Sequence, residues 1–298
     1  MNEFTIDADK RLIKPATDPL ILFDEDPLLM LQAIRLVSES GFDIHGGIYD
    51  AILKKEGLLS KAGTDAVREE FEAIITAEHA GKGLKMLAGT GLIRHIIGDG
   101  IAGNLSKYAR DEFVGLAENI DKTKKNKERR LGLFYLCFGR GEAMEAIKFL
   151  DFSPEMKDLL RDAVTLTEKL NFLANTFEIK QFIVRYGADR FEYLHNLSKA
   201  KRIVYDLDDY KIRSRNFLLD YIEENGEPVF IEDMDIDIYD IINSGIANEE
   251  KAEEILSMLL DLVHKDPRKN KKDVLLSYAG QYAKNPVQAA FRKVRWLK

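Results

Sequence analysis

The stretch EDPLLMLQAIRLVSESGFDI, Glu25 to Ile44, carries apolar residues at Leu28, Leu31, Ile34 and Val37. That spacing is the period of one buried helix face. Asp26 followed by Pro27 places a capping oxygen at the N-cap and a residue with no N–H at the first helical position. Gly41 marks the far end, because a residue without Cβ enters the left-handed conformation that closes helices. The same pattern runs outward along the chain. Val67, Phe71, Ile74 and Ile75 repeat the periodicity, and Ser153-Pro154, Asp266-Pro267 and Asn285-Pro286 repeat the start signal. Gly46-Gly47, Gly57, Gly81, Gly91, Gly187 and Gly245 are read as further stops. Extended chain is expected only near Phe4 to Ile6 and Pro228 to Ile231, so the chain is expected to be all-α.

With 298 residues, 45% hydrophobic and 32% charged, the chain can bury a substantial core. No apolar run is long enough to span a membrane, and the polar, acidic start MNEFTIDADKRL does not read as a signal peptide. The single cysteine, Cys137, lies in the apolar run Leu131 to Phe138 and reads as a core residue in a reducing compartment, so a cytoplasmic location is expected. The net charge of −7 is unevenly spread. Residues 264–298 hold ten Lys and Arg against two Asp, a net +8, which leaves −15 on residues 1–263. Such asymmetry hints at a polyanion-binding end. Composition suggests three stretches: 1–104, 105–222 and 223–298, the last following the break at Gly226-Glu227-Pro228.

Glu25 to Ile44 resembles the E-D-x-x-R motif of the tRNA nucleotidyltransferase and poly(A) polymerase family, the bacterial CCA-adding enzymes. Glu25, Asp26, Pro27, Leu28, Met30, Leu31, Ala33, Ile34 and Arg35 keep the pattern; Leu29 and Gln32 stand where arginines are usual. Further on, Arg68, Glu69, Leu87 and Gly91-Leu92-Ile93 are similar to the family's neck. Asp233, Ile236, Asp240, Gly245, Ile246, Ile255, Leu259, Leu260, Asp266, Pro267 and Asn270 are similar to its body and tail. The resemblance implies an elongated helical array built like the neck, body and tail of a class II CCA-adding enzyme. In the family a catalytic head precedes the motif, with a Gly-Ser turn and a metal-holding Asp-x-Asp pair. Here 24 residues precede Glu25, no Gly-Ser dipeptide occurs, and Asp-x-Asp spacings occur only at Asp7, Asp24, Asp206 and Asp233 to Asp237. None of the five histidines is followed by Asp, so the His-Asp metal site of many relatives is not expected either.

These readings lead to an expected RNA-binding protein that is not catalytic on its own, with no cofactor and no metal. Its partner would be tRNA or structured RNA, and a nucleotidyltransferase head on a separate chain is a further candidate partner. The resemblance makes Glu25, Asp26 and Arg35 a remnant of nucleotide recognition; with leucine at 29, Asp26 is better read as a cap and Arg35 as one half of a structural ion pair. The expected RNA contacts are Lys265, Arg268, Lys269, Lys271, Lys272, Lys284, Arg292, Lys293 and Arg295, the last three interleaved with Phe291 and Trp296 as cations beside stacking surfaces. The rival class is a helical protein-interaction scaffold.

Overall fold

The computed structural model describes residues 3–284, and the chain folds as helices with one small sheet. β1 (Phe4–Asp7) pairs antiparallel with β2 (Leu12–Pro15), and β2 pairs in parallel with β3 (Asp43–Ile44). The sheet buries Ile13 against the first helices. Only β1 was expected as extended chain. The other expected piece, Pro228 to Ile231, is not a strand, because the Asp233 carboxylate takes the N–H groups of Val229 and Phe230 at 3.0 and 2.8 Å and bends the chain into a 3-10 turn, Ile231–Asp233.

The helices follow as α1 (Pro19–Glu25), α2 (Leu29–Ser40), α3 (Gly46–Lys55), α4 (Thr64–Thr76), α5 (Ala80–Gly89), α6 (Arg94–Ile97), α7 (Asp99–Ala102), α8 (Lys107–Asn119), α9 (Lys127–Leu136), α10 (Arg140–Phe149) and α11 (Pro154–Leu170). Then come α12 (Thr176–Tyr186), α13 (Ala188–Tyr205), α14 (Tyr210–Glu224), α15 (Ile238–Asn243), α16 (Glu249–Lys265) and α17 (Lys272–Lys284). The start and stop signals are partly followed. Ser153 caps α11 through the Met156 N–H, and Asp18, ahead of Pro19, caps α1 in the same way. Asp266-Pro267 opens only a 3-10 turn, since Arg268 occupies the Asp266 carboxylate. Asn285-Pro286 lies outside the described residues. Gly41, Gly91, Gly187 and Gly245 take positive φ at or just beyond helix ends.

Gly46-Gly47 and Gly81, by contrast, open helices. The His45 ring accepts the Gly47 N–H at the start of α3. Gly81 lies in the first turn of α5 because a Cβ there would sit 2.2 Å from the Ala117 carbonyl of α8, and one on Gly83 would sit 2.0 Å from Ser38 Oγ of α2. Small residues on both faces let α5 approach two neighbours at backbone distance.

The chain forms two compact units. One comprises residues up to 171 together with 193–209; the other comprises 172–192 and 210 onward. Their bounds fall elsewhere than at 104/105 and 222/223. In the first unit α2 packs on α4 and α5 and buries Met30, Leu31, Ile34 and Val37. Phe134 of α9 gathers Phe71, Phe113, Tyr135 and Phe138 around it. Arg130, fully buried, donates to the carbonyls of Ile75, Ala77 and Thr123 and to Thr123 Oγ1, which satisfies the orphan carbonyls at the end of α4. The second unit has its own core of Met234, Ile236, Ile241, Ile255, Leu259, Val263, Leu275 and Ala279.

That second core is flanked by a buried polar network. Lys180 Nζ lies 2.7 Å from Glu227, and Gln181 Nε2 donates to Asp261 and to His264 Nδ1 at 2.7 and 2.8 Å. His264 Nε2 stands 2.9 Å from the Val229 carbonyl, so the neutral ring donates there and accepts from Gln181. Burial pushes the His264 pKa down from its ordinary value.

Candidate nucleic-acid interface

The residues of the opening motif have structural partners. Asp26 Oδ1 accepts the Leu28 N–H at 2.9 Å, and its carbonyl accepts from Leu29, so Asp26 shapes the turn between the two helices. It closes α1 as the C-cap, while Leu28 stands at the N-cap of α2 without a side-chain cap, so the start expected with Asp26 as N-cap and Pro27 as first helical residue falls instead at Leu28 and Leu29. Glu25 is the exposed last residue of α1. Arg35 pairs with Glu70 of α4 at 3.2 Å and with Glu39 at 3.5 Å. Burial pushes Glu70 above the usual carboxylate range, while Arg35 and a hydrogen bond from Gln32 hold it back. Leu29, where the family pattern has arginine, is buried with the first unit's core. Arg35 is thus committed to α4.

The basic loop after α16 is mixed in sign. Lys265 lies over the Phe177 ring and Lys269 over Tyr278, at 5.3 and 5.2 Å from the ring centres. Arg268 pairs with Asp266, and Lys272 pairs with Asp240, which holds the Asp240 carboxyl below its ordinary range. Asn270 ties the loop to the acidic segment by accepting the Asp235 N–H and donating to the Asp233 carbonyl. The structure therefore brings Asp240 onto Lys272, a neutralisation hidden in the sequence because the two residues lie about thirty positions apart. Lys271 and Lys284 are exposed. Arg292, Lys293 and Arg295 lie outside the described residues.

A second set of cations lies in the first unit. Among residues 41–99, Lys55, Arg68, Lys82 and Arg94 are paired with carboxylates, whereas Lys54, Lys61 and Lys85 are exposed. Nothing in the sequence distinguishes these three from ordinary solvated charges. Half of the six cations in the basic run after α8 are absorbed: Lys125 pairs with Glu78, Lys127 with Glu72, and Arg130 is buried, while Lys122 and Lys124 are exposed. Among the described residues no group of three or more His, Cys, Asp or Glu is arranged to hold a metal ion, and no helix is long and apolar enough to cross a membrane.

Residues 41–99 match the family model described as "Probable RNA and SrmB-binding site of polymerase A". Over 92 residues the chain is 35% identical to the CCA-adding enzyme of Bacillus licheniformis, covering 31% of this chain and 23% of that protein. Over 166 residues it is 26% identical to the CCA-adding enzyme of Limosilactobacillus fermentum, covering 55% of this chain and 40% of that one. The matched part thus spans less than half the length of these relatives. The fold is similar to the crystal structure of the Bacillus stearothermophilus CCA-adding enzyme in complex with CTP, with TM-score 0.69, 19% identity, and 94% of this chain and 67% of that chain covered. It is also similar to the Thermotoga maritima CCA-adding enzyme complexed with tRNA, with TM-score 0.53, 18% identity, and 92% and 65% covered. By sequence over part of its length and by fold over nearly all of it, the chain is a homologue of the bacterial CCA-adding enzymes.

Proposed function

We propose that this chain binds tRNA or another structured RNA through the phosphate backbone and does not add nucleotides by itself. The observation that carries this reading is the match of residues 41–99 to a model described as an RNA-binding site. That segment presents Lys54, Lys61 and Lys85 to solvent. Cations on phosphates position a nucleic acid without reading its sequence, as recognition by shape requires. The basic loop at Lys265, Lys269 and Lys271 is the second contact region, weakened by its acidic neighbours.

Binding of a tRNA transcript, followed by fluorescence anisotropy across a salt series, tests the reading. Affinity should fall steeply with salt as counterions are released. Changing Lys54, Lys61 and Lys85 together to Glu should weaken binding and flatten the salt slope more than the same change at Lys265, Lys269 and Lys271. No binding at low salt would leave the scaffold reading, which the neutralised basic loop favours. With Mg2+, CTP, ATP and tRNA trimmed at its 3′ end, the chain alone should incorporate nothing. Incorporation above a no-protein control would overturn the non-catalytic part of the proposal. A head domain supplied by another polypeptide would restore incorporation on mixing.

A further inference from the structure

In the first unit a groove of about 450 Å³ lies between α8 and the end of α13, where Gly115, Asn119, Lys122, Ile203, Tyr205 and Asp206 line it. Its walls are fixed by contacts within the chain. Glycine at 115 lets the Tyr205 ring lie against α8, since a Cβ there would sit 3.0 Å from the ring, and the Tyr205 hydroxyl donates to the Glu112 carbonyl at 3.0 Å. Asn119 donates to the Gly115 carbonyl and accepts from Lys122 Nζ at 2.7 Å. A neutral amide thus holds the ammonium in place without cancelling its charge.

Two opposite charges line the groove unspent. Among the described residues, Lys122 and Asp206 have no ion-pair partner and do not pair with each other. Lys201, over the Tyr205 ring at 5.9 Å from its centre, adds a cation that also lacks a carboxylate partner. Asp121 is taken by the Gly81 N–H, and Glu118 is exposed on α8 without lining the groove. The lining therefore suits a ligand with an anion at one end and hydrogen-bond donors at the other. Asp206 also stands where glycine would cost less. It holds a φ of 48° just past α13, where the Leu207 N–H reaches back to the Arg202 carbonyl at 3.1 Å; at the ends of α2 and α15 glycine takes positive φ, in Gly41 and Gly245. A carboxylate kept at such a position points to a use for its side chain. We propose that this groove binds a ribonucleoside 5′-phosphate, with Lys122 on the phosphate, Asp206 accepting from the ribose hydroxyls and the half-exposed Ile203 against the base. The volume fits such a ligand, whereas a free amino acid would leave much of the groove to water. Lys54, Lys61 and Lys85 take no part, so the site is independent of the RNA contacts proposed above.

Isothermal titration of the full chain with AMP and with CMP should give saturable binding with a Kd below about 1 mM. Weaker binding of both, or none, overturns the proposal. 2′-Deoxy-AMP should bind about tenfold more weakly than AMP, because the Asp206 carboxylate loses a donor; equal affinities overturn the assignment of Asp206. Lys122→Gln should weaken AMP binding at least about tenfold. Asp206→Gly separates the site from the fold: the melting temperature should rise while AMP affinity falls about tenfold. A more stable Asp206→Gly chain that binds AMP as the wild type does overturns the proposal. A single-stranded tetraribonucleotide that displaces AMP, and that binds Asp206→Gly more weakly, identifies an unstacked nucleotide of RNA as the ligand's source; AMP binding without such displacement identifies a free nucleotide.

Discussion

Glu70 and Tyr135 show how burial sets the behaviour of single polar groups. Glu70 is raised by desolvation and held by Arg35. A raised carboxyl binds its proton more tightly in the folded state. Its contribution to stability is therefore largest below the unfolded carboxyl range and declines as pH rises through the folded value. Arg35→Met should consequently cost little near pH 4 and about 2 kcal/mol near pH 8, where Glu70 is left as an unpaired buried carboxylate beside a half-exposed gap. Equal losses at the two pH values, measured by urea titration, would show that Glu70 does not depend on its partner. Tyr135 is fully buried and its hydroxyl has no hydrogen-bond partner. Tyr135→Phe removes that unsatisfied group at almost constant volume, so the melting temperature should hold or rise, by up to ~1 kcal/mol in stability. A clear fall would mean that the hydroxyl has a partner in solution. Neither residue was legible in the sequence, because a tyrosine or glutamate in a helix looks the same whether or not a neighbouring helix covers it.

At the scale of elements, helix positions were legible where the signal is local. Leu28, Leu31, Ile34 and Val37 announce α2, and Ser153-Pro154 announces α11, because caps and periodicity act within a few residues. Signals that depend on a neighbour were misread. Gly81 looked like a stop and is instead the contact point of α5 with α8. Gly81→Ala should raise intrinsic helix propensity by roughly 1 kcal/mol yet lower overall stability by about 1–3 kcal/mol, since the new methyl meets the Ala117 carbonyl. A more stable variant would show that α5 and α8 can separate. The basic loop shows the same limit: its cations are visible in the sequence, but the acidic partner of Lys272, Asp240, comes from chain distant in sequence, and Asn270 links the two segments through the Asp233 and Asp235 backbone.

At the scale of the molecule, the two units hold their polar interiors by different chemistry. In the first, Arg130 satisfies the end of α4 with a guanidinium that stays charged at any accessible pH. In the second, the network around Gln181 needs His264 neutral, because its Nδ1 must accept. The depressed folded pKa of His264 means that its contribution is present above the ordinary histidine value and is lost as pH falls through the folded one. Amides of α12 and α16 should therefore lose hydrogen-exchange protection between about pH 7.5 and about pH 5, beyond the change expected from intrinsic rates, while those of α4 and α9 keep theirs. Uniform behaviour across both units would contradict this division. Because Leu29 is buried with the first unit's core while Arg35 is tied to α4, an arginine at 29 would bring a charge into apolar packing. An arginine at this position is therefore more than a surface change: the core around α2 would have to be repacked to let the charge reach water.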